Sequence, residues 1–226
     1  MNHEALKSQI IKEITGDKAV HMDLDLASKI EKMIQEVERL STFNPISRAQ
    51  TCQYNEMGAK VKVAQMPIES QSLCRFLEGA PECILMAATL GARVEQRLSV
   101  LQLTDMAGAY LFDCVCLYYL EAKLDEWEEN LREILRMENK YLSKRFSPGY
   151  GDLSLEIQKN LLAYLDAHRR IGIELTENYL MIPQKSVTAI LGVHTRPFKD
   201  KYARCDACIR RENCKRQGGG HCEFHS

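Results

Sequence analysis

The chain has 226 residues, 45% of them apolar and 27% charged, with a net charge of −1. That length is enough to bury a full core as one domain, or as one domain with a small appendage. No apolar run approaches the roughly 20 residues that span a bilayer, and the opening MNHEALKSQIIKE is too polar and acidic for a signal peptide; a cytoplasmic chain without a membrane partner is expected.

Taken in chain order, Ala27, Ile30, Met33, Ile34, Val37 and Leu40 recur at three- and four-residue steps and predict an amphipathic helix over 24–40, ending before Asn44-Pro45. Val61, Val63 and the run Cys83 to Ala88 read as strands, the second ending at Thr89-Leu90-Gly91. A short helix from about Gln71 to Glu78 lies between them, closed by Gly79 and Pro81. From Thr104 or Asp105, either a good N-cap, a helical pattern runs to about Asn139 and is the longest element. Its inner stripe is traced through Tyr110, Cys114, Leu117, Glu121, Leu124, Glu128, Leu131 and Leu135, with Glu121 interrupting an apolar stretch.

Leu155, Ile157, Leu161, Leu162 and Leu165 form another helical stripe, opened by Asp152 or Ser154. Leu175 to Ile182 and Ser186 to Val193 flank Pro183-Gln184-Lys185 and predict an antiparallel hairpin. Strands without regular strand-helix alternation argue for an α+β fold: an antiparallel twisted sheet with surrounding helices, one of them long and central, plus a small Cys-rich C-terminal tail. The division is residues 1–195 as the domain and 196–226 as a basic appendage, whose eight Lys/Arg against four Asp/Glu make it +4 and leave −5 for the rest.

Nine cysteines suit reduced thiols or metal ligands, since an odd number leaves one unpaired in a disulfide framework. Cys52, Cys74, Cys83, Cys114 and Cys116 sit among apolar residues and are expected to pack as small hydrophobes. Cys205, Cys208, Cys214 and Cys222 crowd into the tail, where four thiolates within 18 positions can close round one metal. Zinc would make a structural knuckle and an iron-sulfur cluster could carry electrons; functional plausibility favours iron-sulfur.

The segment Arg145-Phe146-Ser147-Pro148-Gly149-Tyr150-Gly151 is the most informative. It sets one fixed positive charge, a planar fork suited to a carboxylate, beside a Gly-flanked turn and an aromatic ring. Such a loop suits a small zwitterion, although an isolated Pro-Gly segment more often only joins two helices.

From Arg145 onward the chain resembles the activation domain of cobalamin-dependent methionine synthase, in its free-standing form. The resemblance rests on motifs in a fixed order: Arg145, Gly149 and Tyr150; then Gly172, Leu175, Thr176 and Glu177; then Met181 and Pro183; then Ser186 and Val187. Upstream, Thr89-Leu90-Gly91 and the long helix carrying Glu121 extend it, so that it spans about residues 60 to 193. It implies binding of S-adenosylmethionine and docking over cobalamin held by a partner methionine synthase subunit. An electron from a flavodoxin-type or ferredoxin-type donor and a methyl group from the sulfonium would there restore methylcobalamin.

Carried over residue by residue, the resemblance implies that Arg145 pairs with the methionyl carboxylate and that Ser147 and Gly149 line the ligand through their backbone. Tyr150 would stand between donor and corrin as the catalytic position, and Glu121 would accept from the amino group or oppose the sulfonium charge. Two departures stand out. The family's Pro after the Tyr is Gly151 here, and its second tyrosine pair has no counterpart after Val193. The family's N-terminal aspartate has only Asp23 and Asp25 as candidates, because residues 1–60 do not align.

Asp166-Ala167-His168-Arg169-Arg170-Ile171-Gly172 nearly reproduces Asp-x-His-x-x-Gly, with which many proteins ligate cobalt, but the glycine comes one residue late. His168 is therefore expected at the surface, with the corrinoid supplied by the partner. The chain would then be an enzyme component acting with that partner. Two other readings remain: a reactivator of another corrinoid methyltransferase, or a zinc-binding regulatory module whose basic tail meets an acidic partner, nucleic acid being the less expected one.

Overall fold

The computed structural model describes residues 3–15, 24–54 and 60–198. Helices α1 (His3–Thr15) and α2 (Leu24–Leu40) lead into strands β1 (Ile46–Tyr54), β2 (Lys60–Val63) and β3 (Met66–Glu69). Helix α3 (Gln71–Phe76), strand β4 (Glu82–Thr89), helix α4 (Ala92–Thr104) and the long helix α5 (Met106–Met137) follow. The chain closes with β5 (Tyr141–Leu142), α6 (Ile157–Leu165), α7 (Ala167–Ile171), β6 (Glu174–Leu175), β7 (Met181–Ile182) and β8 (Ser186–His194).

Six strands form one antiparallel sheet in the order β3-β2-β1-β4-β8-β5. Its centre is β4, which pairs with β8 from Glu82↔Val193 to Thr89↔Ser186 and with β1 from Thr51↔Glu82 to Ile46↔Ala87. Helices cover both faces of β4, so its sequence reads as a continuous apolar run, with no polar face. Alternation still divides its side chains. Ile84, Met86 and Ala88 join Ala189, Leu191 and Val193 under α1, α2, α4 and α5. Cys83, Leu85, Ala87 and Ile190 join Leu73, Leu161 and Leu165 on the opposite face, under α3 and α6.

The α+β class, the strands at 61–63 and 83–88 and the helix at 24–40 stand as read from the sequence. The phase of the first half of α5 does not. Tyr110 is 63% exposed and the buried positions include Ala109, Phe112, Val115, Cys116, Tyr118 and Tyr119, because both α2 and α4 pack on α5 and pull the apolar stripe round. From Leu124 through Glu128 to Leu135 the expected stripe holds.

The hairpin expected at 175–193 is a second correction. β7 pairs with β6 in its own two-stranded sheet, while β8 joins β4 in the main one. The segment between β7 and β8, with its cis Ile182–Pro183 bond, is instead tied to the helices: the Gln184 amide donates to Glu95 Oε2 at 2.8 Å and Lys185 pairs with Asp113 at 2.8 Å. A third correction concerns the start of α6. The helix begins at Ile157 after Glu156, without a side-chain cap, and Asp152 serves α3.

Several motif residues behind the resemblance hold this frame. Ser186 Oγ donates to the Pro183 carbonyl oxygen at 2.6 Å and lies within hydrogen-bond distance of Thr89 Oγ1, at 2.9 Å. Gly91 has φ +90°, and a Cβ there would lie 2.2 Å from Thr42 Oγ1, so only glycine fits. The Thr176 hydroxyl accepts from the Leu180 amide and closes the turn between β6 and β7. Cys74, Cys83 and Cys116 are buried and Cys52 and Cys114 half-buried, as small apolar side chains would be. The boundary at residue 196 lies near the end of the described residues, and the cysteine tail lies outside them.

The phase of α5 is open to a simple test. Phe112→Ala empties a fully buried site and is expected to cost about 3–5 kcal/mol in urea denaturation, whereas Tyr110→Ala is expected to cost less than about 1 kcal/mol.

Candidate functional site

After β5 the chain runs beside β8 as an irregular edge. The Ser143 amide donates to the Gly192 carbonyl, and Phe146 and Ile190 exchange both backbone hydrogen bonds at 2.9 Å. This pairing turns Phe146 into the core on the α3/α6 face and leaves its neighbour Arg145 facing α5. The loop then closes on itself: the Tyr150 amide donates to the Ser147 carbonyl at 3.0 Å and the Gly149 amide to the Leu153 carbonyl at 2.8 Å. Gly149 sits at φ +93°, a backbone state that strains any residue with a side chain, and its ideal Cβ position lies 3.2 Å from Leu155 Cδ2.

Asp152 fastens the loop to the second core. Its carboxylate accepts from Ser70 Oγ at 2.5 Å, the Gln71 amide at 2.8 Å and the Ser72 amide at 3.1 Å, at the start of α3. Desolvation opposes ionisation there, but the hydrogen bonds from Ser70, Gln71 and Ser72 outweigh it and hold the carboxyl below the usual range.

Arg145 is 91% buried as a side chain, being 9% exposed, and meets three acids of α5. Its Nη2 donates to Glu121 Oε2 at 2.9 Å and to Asp125 Oδ1 at 3.1 Å. Its Nε lies 2.7 Å from Glu128 Oε1, close enough for an ion pair but not aligned for a hydrogen bond. Glu128 in turn accepts from Arg132 Nη2 at 2.7 Å. Burial pushes the Glu128 carboxyl above the usual carboxylate range, against the pull of Arg145 and Arg132. Both N–H groups of Arg145 Nη1 are buried, with no hydrogen-bond partner among the described residues.

Of the residues singled out in the sequence, the structure thus brings Glu121 and Arg145 into direct contact across 24 positions. Tyr150 is half-buried on the second core, its ring edge-on to Phe146 at 5.8 Å. Ser147 is half-buried in the turn between them. Asp25 lies exposed in the first turn of α2, and Asp23 falls outside the described residues, as do Cys205, Cys208, Cys214 and Cys222. His168 is exposed, as expected, with Nδ1 3.2 Å from Glu174. It opens on a separate cleft of about 370 Å³ whose lining includes Lys159, Leu162, Asp166 and Leu175. Among the described residues no group of three or more His, Cys, Asp or Glu could hold a metal.

Sequence reasoning missed Asp125, Arg132 and Asp152 as site residues, and took Glu128 for part of the apolar stripe. The signal was there: Glu121, Asp125, Glu128 and Arg132 recur at steps of four, three and four, which puts them on one face of α5.

The fold and site define an α+β domain in which a sheet-edge loop lends one arginine to the acidic face of a long helix. Residues 121–214 match the family model of the vitamin B12 dependent methionine synthase activation domain, in agreement with the motifs read from Arg145 onward. Among solved structures, the crystal structure of the MetH reactivation domain bound to AdoHcy is similar in fold, at 14% identity and a TM-score of 0.59, covering 92% of this chain and 81% of that one. No curated relative matches the sequence.

Asp152→Ala is expected to lower stability by about 1–2 kcal/mol at pH 7. Because the folded carboxyl titrates below its unfolded counterpart, its contribution is present above about pH 4 and is lost as pH falls through the depressed value. The gap between wild type and Asp152→Ala in urea denaturation should therefore close on acidification.

Proposed function

We propose that this chain is the reductive-activation component of a cobalamin-dependent methionine synthase, binding S-adenosylmethionine at Arg145 and presenting its methyl group to cobalamin on a partner polypeptide. The observation that carries this reading is the contact between Arg145 and Glu121 at 2.9 Å, next to a buried and unpartnered Nη1. The α-amino acid end of the ligand needs a cation for its carboxylate and an acid for its ammonium, held side by side. Arg145 and Glu121 are such a pair, and the donor capacity left on Nη1 suits a carboxylate. The activation-domain match over residues 121–214 and the AdoHcy bound in the similar reactivation domain point the same way.

In this reading Arg145 anchors the carboxylate and Glu121 takes the ammonium or opposes the sulfonium charge. Glu128, fixed by Arg132, holds the guanidinium towards α5. Ser147, Gly149 and Tyr150 line the other side, Tyr150 supplying the surface that faces the corrin. The chain provides no nucleophile, since the partner's cobalt receives the methyl group; its part is to orient the donor and exclude water from it. A corrinoid-binding synthase subunit, a flavodoxin-type or ferredoxin-type electron donor and a cytoplasmic location belong to the same proposal. Among the described residues no helix is long and apolar enough to cross a membrane.

The tail, residues 196–226, is proposed as an appendage in which Cys205, Cys208, Cys214 and Cys222 hold a metal, with an iron-sulfur cluster favoured as a route for electrons to the corrinoid. Anaerobically purified protein is then expected to be brown with a visible shoulder, while a colourless sample containing zinc would rule the cluster out.

Calorimetry tests the ligand. Wild type should bind S-adenosylmethionine, and Arg145→Lys, which keeps the charge among the acids but loses the fork, should bind at least about tenfold more weakly. Wild type that does not bind, or a lysine variant that binds equally well, would refute the reading. Restored turnover of an oxidised synthase lacking its own activation domain would tie the chain to that partner; success only on another corrinoid methyltransferase would give it to that system.

A further inference from the structure

Three carboxylates converge on Arg145, but they are not equivalent. Glu128 is 5% exposed and sits between two arginines, and Glu121 is 16% exposed; Asp125, one turn beyond Glu121, is 70% exposed. A guanidinium has five N–H donors in a fixed plane. Nη2 donates to Glu121 and Asp125, Nε faces Glu128, and both donors of Nη1 are left buried without a partner. The edge formed by Nη1 and Nη2 is one on which a carboxylate can sit with two parallel hydrogen bonds. Asp125 holds its Nη2 corner with a single oxygen at 3.1 Å.

We propose that Asp125 is an exchangeable placeholder: it occupies Arg145 Nη2 in the free protein and yields that edge to the carboxylate of an amino-acid-bearing nucleoside ligand, while Glu121 and Glu128 stay in place. The proposal rests on the reading of Arg145 as the carboxylate anchor and names the residue that sets the strength of that anchor. Release of Asp125 is easy, because an ion pair this exposed is weak and its carboxylate returns to water. Release of Glu128 is not, because a buried carboxylate between two arginines has no solvent to replace them. The incoming carboxylate also takes the Nη1 donor on that edge, which Asp125 does not. Exchange therefore leaves the site with more hydrogen bonds than it had.

The test uses the full chain and two nucleosides that differ in the group concerned. S-adenosylhomocysteine carries the carboxylate; 5′-methylthioadenosine lacks the whole amino acid end. Asp125→Asn, an isosteric change on an exposed helix face, removes the competing charge. By calorimetry it should bind S-adenosylhomocysteine about 2- to 5-fold tighter than wild type and methylthioadenosine no differently. Asp125→Ala should move the same way. Unchanged or weaker binding of S-adenosylhomocysteine overturns the exchange, and so does equal tightening of both ligands, which would reflect a general change of field. Wild type that binds S-adenosylhomocysteine, with loss in Arg145→Lys but no change in Asp125→Asn, removes the exchange alone. Wild type that binds neither nucleoside removes the ligand reading and the exchange together.

Discussion

The ladder between β4 and β8 is the constraint on which the rest of this structure depends. It runs from Glu82↔Val193 to Thr89↔Ser186, and both of its faces are covered by helices. At one end the Thr89–Ser186 hydrogen bond fixes the segment after β7 and the entry to α4. Along its outer edge β8 carries β5 and then the short Phe146–Ile190 bridge. That bridge decides which way the loop residues point. Because successive side chains on an extended strand alternate, anchoring Phe146 in one core aims Arg145 at the helix on the other side.

Helix α5 supplies the second half. Its first turns are apolar nearly all round, since they lie under α2 and α4, and its later turns carry Glu121, Asp125, Glu128 and Arg132 on the face that Arg145 meets. Two arginines at 2.7 Å offset only part of the cost of burying Glu128, and desolvation still pushes its carboxyl above the usual range. Removing either arginine would leave an acid stranded in a dry environment. The cluster thus makes the position of Arg145 a matter of stability as well as of ligand binding, while the exposed Asp125 is the part of it that can change partner freely.

Much of this was legible in the sequence. Helix α2 reads directly from its three- and four-residue steps, and β4 from an apolar run bounded by turn residues. The Arg145 loop declares itself by a cation, two glycines flanking the turn and an aromatic ring, and Glu121 by an acid inside an apolar stripe. The phase of early α5 was hidden because a helix packed on two sides has no single stripe for periodicity to find. The hairpin at 175–193 was misread because local pattern gives strand and turn but not partner: β8 has a longer complement in β4 than in β7. Asp125 escaped notice because an exposed acid on a charged helix carries no signal until the residue across from it is known.

The most direct measurement is a crystal structure of this chain with S-adenosylhomocysteine. The account predicts the ligand carboxylate within about 3 Å of Arg145 Nη1 and Nη2, its ammonium against Glu121, and Asp125 turned to solvent. A ligand lodged instead in the cleft beside His168 and Glu174, with Arg145 still paired to Glu121 and Asp125, would contradict it.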